Sequence, residues 1–343
     1  MPSLVNLGVI GLGRMGRLYA RMLATQVSGA RLYAVAEVGE RVRSQVISEL
    51  DIAYAFADTY ELLALPGLDA VVIATPTGTH HDLVIAAAKA GKAIFCEKPL
   101  ALTLEETLAM MEAVASAQVP LQVGFMRRFD AGYQRAKTLI AGGQIGYPVT
   151  FKSLSRDPFC PPGNYMDPAK SGGLILDMAI HDFDLARWLV GSEVERVTAE
   201  GTVLVCNDLA SVGDIDNALV NMRFANGALG NIEASRNAFY GYDIRTEVLG
   251  SEGAVMIGVH RHTPVVLLNR AGAHHDLMPY LMERFGDAYR AQLQHFVDCL
   301  HKGQSPSVSG TEALAACKIG IAATRSYQTG SPVNLSDLEP PSL

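Results

Sequence analysis

Val5-Asn6-Leu7-Gly8-Val9-Ile10-Gly11-Leu12-Gly13-Arg14-Met15-Gly16 reads as a short apolar strand running into a glycine-rich turn at the head of a helix. The turn has the G-x-G-x-x-G spacing of a dinucleotide-binding loop. Gly11 permits the tight turn, Gly13 lets the backbone approach a pyrophosphate, and Gly16 lets helix and strand pack closely. The helix that follows offers free N–H groups and the positive end of its dipole to the phosphates. Glu37, about 20 residues further on, ends a second apolar run, where an acidic residue accepts hydrogen bonds from the adenosine ribose. A carboxylate there would repel a 2′-phosphate, so NAD is expected and NADP is the lesser alternative. Arg41 and Arg43 follow closely and are expected on the exposed face of the next helix.

From this stretch the pattern continues along the chain. Strand-length apolar runs at Val5–Ile10, Ala30–Glu37, Ala70–Thr75, Ala93–Cys96 and Leu121–Phe125 alternate with helical segments Arg14–Gln26, Glu40–Leu50, His80–Ala90 and Thr103–Ala117. Strands apolar on both faces belong to a parallel sheet covered by helices. Residues 1–125 are therefore expected to form a doubly wound, Rossmann-type α/β domain. Thr75-Pro76-Thr77 and Glu97-Lys98-Pro99 fall at the carboxyl ends of strands, where ligands bind in open α/β sheets. Gly11, Gly13, Arg14, Met15, Gly16, Glu37, Thr75, Pro76, Glu97 and Lys98 are the expected cofactor-binding residues.

After residue 126 the pattern changes to strands at Val149–Ser155, Glu195–Leu204, Asp216–Phe224, Ala228–Ser235, Tyr242–Leu249 and Ala254–Ile257. Asn226-Gly227 between two of them predicts a hairpin with a type I′ turn. Residues 126–343 thus read as an α+β domain with a large, mostly antiparallel sheet. A largely apolar helix is expected over Leu174–Val190, stopped by Gly191, and two more close the chain at Glu283–His301 and Thr311–Thr329. Asp177, His181 and Asp184 fall at i, i+4 and i+7 of the first, on one face. Asp177 could orient and charge-stabilise His181, making a general base. The same spacing also suits a plain solvated face.

The 343 residues are 49% hydrophobic and 18% charged, with net charge −7. That balance suits a soluble two-domain chain and argues against a nucleic-acid-coating or anionic-membrane surface. No run of about eighteen uncharged apolar residues occurs, and the N-terminal stretch lacks the pattern of a secretory signal. Five scattered cysteines, Cys96, Cys160, Cys206, Cys299 and Cys317, suggest buried thiols in a reducing cytoplasm and no disulfide framework. His260, His262, His274 and His275 read as surface loop histidines, and no metal site is expected.

Gly11–Gly16, Glu97-Lys98-Pro99 and Asp177-Met178-Ala179-Ile180-His181-Asp182 together resemble the glucose–fructose oxidoreductase/inositol dehydrogenase/rhizopine-catabolism family along the whole chain. Gly124–Asp130 and Tyr240–Ile244 are most similar to the inositol 2-dehydrogenases within it. The resemblance implies an NAD-dependent enzyme that oxidises a ring secondary alcohol of a cyclic polyol, first of all myo-inositol. It implies Lys98, Asp177 and His181 as the catalytic set, with Arg127, Asp157 and Tyr240 joining them in binding substrate, and a homotetramer. Where such dehydrogenases tend to carry His-Arg-Asn, this chain has Ser155-Arg156-Asp157, followed by a proline-rich stretch at 158–165. That departure keeps scyllo-inositol, levoglucosan or an aldose open as substrates. An NAD-dependent glycosidase and a non-enzymatic NAD-binding sensor are the remoter alternatives.

Overall fold

The structure, a computed structural model, describes residues 4–161, 167–258 and 261–338. The chain divides into two compact units, one of residues 1–126 with 289–314 and the other of 127–288 with 315–343.

The first unit carries six strands, β1 (Val5–Ile10), β2 (Ala30–Ala36), β3 (Tyr54–Phe56), β4 (Ala70–Ile73), β5 (Ala93–Cys96) and β6 (Leu121–Val123). All neighbours are parallel, in the order β3-β2-β1-β4-β5-β6, the doubly wound order that binds dinucleotides at the carboxyl edge beside β1. Helices α1 (Arg14–Thr25), α2 (Glu40–Glu49), α3 (Thr59–Leu63), α4 (His80–Lys89) and α5 (Leu104–Ala117) lie between the strands. Every residue of β4 and β5 is buried, as continuous apolar runs require. Short β3 and α3 escape the sequence reading because neither is long enough to show a period. Residues 289–314, which the sequence assigns to the second domain, return to this unit. There Phe296 packs edge-on against Phe95 at 6.0 Å and Gln294 pairs with the Ser28 backbone. An amphipathic pattern shows that a helix is buried but not which core buries it.

The second unit begins with α6 (Ala131–Ala141), capped by Asp130, whose side chain accepts from the Gly132 and Tyr133 N–H groups. Its sheet contains β7 (Pro148–Arg156), β8 (Val194–Thr202), β9 (Asn217–Phe224), β10 (Leu229–Ser235), β11 (Asp243–Gly250) and β12 (Ala254–Ile257). A separate small ribbon pairs β13 (Leu267–Asn269) with β14 (Gly272–His274), and the short β15 (Val333–Asn334) borders β8. The order is β12-β11-β7-β10-β9-β8-β15, antiparallel except where β7 runs parallel to β10. Along β9, Ala218, Val220, Met222 and Phe224 point inward while Leu219, Asn221 and Arg223 point out. The β9–β10 hairpin does not use a type I′ turn. Gly227 has φ +89° while Asn226 stays at negative φ, and Gly227 N–H donates to the Phe224 carbonyl at 2.9 Å. This is a type I turn closed by a left-handed glycine, the common three-residue alternative.

The helix expected over 174–190 is two pieces. After α7 (Pro168–Ser171), Gly172 and Gly173 take φ of +89° and +69°, Leu174–Met178 form a π-turn, and α8 runs over Ile180–Val190. A Cβ on Gly173 would lie 2.6 Å from Asp214 Oδ1, so only glycine fits that bend. Two long helices close the chain, α9 (Leu281–Lys302) and α10 (Gly310–Thr329).

The cysteine reading is corrected. Cys160 and Cys206 form a disulfide with Cα atoms 5.7 Å apart, while Cys96, Cys299 and Cys317 are buried free thiols. Forty-six residues separate the pair, so their meeting depends on tertiary folding that spacing does not encode.

Asp184, expected on a polar face with Asp177 and His181, is instead 1% exposed and gripped by Arg128. Nε and Nη2 of Arg128 reach its two carboxylate oxygens at 2.8 and 2.6 Å. Breaking a buried pair strands the other charge, so Arg128→Ala should cost about 3–5 kcal/mol. Denaturant unfolding checks this, and Arg128→Met combined with Asp184→Leu should cost less than either single change.

Candidate active site

In the first unit the glycine turn has the shape its spacing predicts. Gly11 has φ +83°. A Cβ on Gly16 would stand 1.8 Å from the Gly11 carbonyl oxygen, whereas around Gly13 there is open space for an approaching group. Arg14 is exposed and Met15 half-buried at the start of α1. Glu37 accepts the Leu12 N–H at 2.7 Å and the Gly39 N–H at 2.9 Å. The carboxylate thus ties the glycine turn to the loop after β2, and its remaining lone pairs are free in number to accept ribose hydroxyls. Arg43, expected to face solvent, folds back and donates to the Glu37 carbonyl at 2.6 Å. The open backbone at Gly13 and the half-buried carboxylate of Glu37 fit the pyrophosphate and ribose of NAD.

Thr75 and Pro76 follow β4, with the Thr79 hydroxyl 2.7 Å from that of Thr75. After β5, Lys98 is half-buried and the Lys98–Pro99 peptide is cis. Glu97, expected among the cofactor-binding residues, is 9% exposed and turned inward. It accepts hydrogen bonds from the Tyr19 hydroxyl and from the Lys98 N–H, the latter at 3.0 Å. Gln292 in turn donates to Tyr19 at 2.9 Å. Burial raises the Glu97 pKa, against the pull of Tyr19 and the Lys98 charge. A Cβ at Gly124 would lie 3.0 Å from this carboxylate. Glu97 therefore supports the loop that carries Lys98.

In the second unit Asp177 sits in the π-turn and His181 in the first turn of α8. Asp177 keeps 28% of its side chain exposed and its Oδ2 is 3.5 Å from Nη2 of Arg236. Arg236 also pairs with Asp214 at 3.5 Å, and Asp214 accepts the Leu174 N–H. A buried guanidinium thus spans Asp177 of the π-turn and Asp214, which caps the turn's start. His181 is mostly buried. π-turns inserted in helices gather at functional sites, and here one carries Asp177.

Arg127, expected in the substrate pocket, is 2% exposed. Its Nη1 donates to Asp182 at 2.8 Å and to Ser155 at 3.0 Å. Burial opposes its charge, but Asp182, Tyr133 and Tyr242 together outweigh that and raise its pKa. It acts as a brace for α8. Tyr240 is half-exposed as expected of a wall residue. It donates to Asp243 at 2.7 Å and accepts from Arg156 at 2.8 Å. Asp157 is half-buried, its N–H donating to Ser235 O. Of the stretch at 158–165, Phe159 stacks on Tyr280 at 4.9 Å, while Pro162–Tyr165 lie outside the described residues. His262, His274 and His275 are exposed and His260 is outside the described residues. Among the described residues no three His, Cys, Asp or Glu side chains gather as a metal site. No helix there is long and apolar enough to cross a membrane.

Sequence reasoning missed Tyr19, Arg236 and His80. None of the three carries a motif, and polar neighbours such as Arg17, Arg21, Glu233, Asn237, Thr79 and His81 leave no local sign of their burial.

Fold and site together define a dinucleotide-dependent oxidoreductase with a second α/β unit. Family models agree. The oxidoreductase family's NAD-binding Rossmann fold matches residues 5–125, and its C-terminal alpha/beta domain matches 137–335. The chain belongs to the glucose–fructose oxidoreductase/inositol dehydrogenase/rhizopine-catabolism family and uses NAD. It is 44% identical to scyllo-inositol 2-dehydrogenase (NAD(+)) of Bacillus subtilis, covering 98% of this chain and 97% of that one. To myo-inositol 2-dehydrogenase of Thermotoga maritima it is 42% identical, covering 97% and 99%. The solved scyllo-inositol dehydrogenase of Lactobacillus casei, with bound NAD(H) and scyllo-inositol, superposes with TM-score 0.92 at 30% identity, over 97% of this chain and all of that one.

The position of Arg43 behind Glu37 sets up a test of cofactor choice. Glu37→Ala should raise the ratio of kcat/KM for NADP⁺ over NAD⁺ by about tenfold or more, since it removes the repelling charge and leaves a cation nearby. Taking the ratio cancels any general loss from untethering the glycine turn.

Proposed function

We propose that this protein is an NAD-dependent inositol 2-dehydrogenase acting on the ring alcohol of myo-inositol. The observation that carries this is the full-length similarity to inositol 2-dehydrogenases. The second reading is scyllo-inositol, favoured by the Bacillus relative; other sugars follow only through the Ser155–Asp157 departure.

Residues Gly11, Gly13, Arg14, Met15, Gly16, Glu37, Thr75 and Pro76 would hold the cofactor, which when bound supplies the hydride acceptor. The chain's own task is placing the alcohol and moving its proton. His181 takes the hydroxyl proton as general base. Asp177 stabilises the resulting imidazolium, and Arg236 keeps Asp177 oriented. Lys98 donates a hydrogen bond to the oxygen as negative charge grows on it. Asp157 and Tyr240 contact the remaining hydroxyls, with Tyr240 fixed by Arg156 and Asp243. Arg127 supports this group from behind through Asp182.

A homotetramer belongs to the same proposal. What supports association is the open sheet face of the second unit, where Leu219, Leu229, Leu249 and Met256 are all exposed. Residence in the cytoplasm is proposed with it. There the Cys160–Cys206 link would have to be reversible, because cellular thiols hold most disulfides open.

NADH formation from myo-inositol, scyllo-inositol, glucose and levoglucosan tests the substrate. Turnover of myo-inositol ahead of the others is expected, while activity confined to a non-inositol sugar would refute the assignment. His181→Ala should lower kcat about 10²–10⁴-fold and leave the NADH dissociation constant nearly unchanged.

A further inference from the structure

The loops after β4 and β5 are joined through one buried side chain that the mechanism above does not use. His80, the first residue of α4, is 1% exposed. Its Nδ1 lies 3.0 Å from the Pro99 carbonyl oxygen and its Nε2 lies 3.0 Å from the Thr75 carbonyl oxygen. The ring therefore spans from the cofactor loop at Thr75-Pro76-Thr77 to the loop that holds Lys98. A carbonyl oxygen accepts and never donates, so each contact needs a proton on the facing nitrogen. A neutral ring can serve one of them at a time, and the imidazolium can serve both. Burial lowers the His80 pKa, the Thr75, Pro99 and Leu100 carbonyls push it back up, and the Lys98 ammonium lowers it again. That Coulomb coupling places Lys98 in the field of the same ring.

We propose that His80 is a positioning residue for Lys98, its ring lodged between the Pro99 and Thr75 carbonyls and donating to one of them when neutral and to both when protonated, so that the two loops move as one. The proposal rests on Lys98 acting in catalysis, the reading given above. Lys98 is otherwise held at its own N–H by Glu97, on the preceding side. His80 holds the following residue, so the lysine is fixed at both flanks. A catalytic group displaced by about 1 Å can lose about 10²-fold in rate. This is the size of effect a lost tether should produce, with ground-state cofactor binding little altered.

The test compares full-length wild type, His80→Ala and His80→Gln by three readouts. These are steady-state kinetics, NADH affinity from cofactor fluorescence without substrate, and amide hydrogen exchange of the 75–79 and 98–101 segments. His80→Ala should lower kcat about 10²-fold, keep NADH affinity within about threefold of wild type, and recover part of its rate when free imidazole is added. Exchange should quicken in both loops together. His80→Gln, whose amide can serve one loop, should fall between. Wild-type-like kcat in either variant overturns the proposal, as does faster exchange confined to one loop. A rate loss that only tracks a lower number of NADH-binding sites overturns it too, because that is misfolding. Should the alanine variant fail to fold, the glutamine variant decides by the same readouts. If wild type binds NADH yet oxidises no polyol, the functional reading fails, and paired or unpaired loop exchange still decides the tether.

Discussion

Two consecutive arginines and two carboxylates fix the helix that carries His181. Arg127 and Arg128 reach Asp182 and Asp184, all four nearly or wholly out of solvent. Such pairs gain little over apolar packing in stability, because desolvation offsets most of their attraction. What they supply is definition. A helix faced with Phe183, Leu185 and Leu189 could rotate or slide on the sheet at small cost. Two guanidinium–carboxylate contacts with fixed geometry permit only one rotation, and His181 is the residue next to the first of them. Ser155 adds a hydroxyl to Asp182 at 2.7 Å, so the sheet, the helix and the segment before α6 share one polar knot.

A similar logic governs the first unit, with backbone donors in place of guanidinium groups. Glu37 accepts from the N–H groups of Leu12 and Gly39, and Glu97 accepts from that of Lys98. Each carboxylate ends or follows a buried strand and reaches into a loop that the strand alone would leave loose. The two differ in exposure. Glu37 stays half-open to a ligand, whereas Glu97 turns into the core toward Tyr19 and raises its pKa through burial. One acidic residue is thereby left open on one side and the other is closed into the scaffold, although both sit at strand ends in the sequence.

That difference shows what was legible in the chain and what was not. The parallel sheet could be read because its strands are continuous apolar runs, and Gly11, Gly13, Gly16 and Glu37 because their spacing is set by local backbone geometry. Lys98 and His181 stood out through motifs. Glu97 falls among the expected cofactor residues because it stands at a strand's carboxyl end, and Arg127 in the pocket because the family resemblance implies it; their burial depends on Tyr19, Gln292, Asp182 and Ser155, which arrive from distant positions. The π-turn at 174–178 was hidden for another reason. Its cause is the left-handed pair Gly172-Gly173 pressed against Asp214, forty residues away, while the side-chain pattern alone fits an unbroken α-helix. The Cys160–Cys206 bond is equally a product of long-range packing.

The departure at Ser155-Arg156-Asp157 can now be divided by what each side chain touches. Ser155 is fully buried and spends its hydroxyl on Arg127 and Asp182, so a histidine's absence there alters the brace of α8 before it alters any ligand contact. Arg156 reaches Glu233 at 2.6 Å and Tyr240 at 2.8 Å, which holds the Tyr240 phenol against Asp243. Along a strand successive side chains face opposite ways, and Ser155 and Arg156 follow that rule, one inward to the helix and the other out. Of the two, only Arg156 reaches the half-exposed Tyr240, and Asp157 lies half-buried just beyond the strand. The segment therefore divides into a serine that helps hold α8 through Asp182 and an arginine that fixes the Tyr240 phenol.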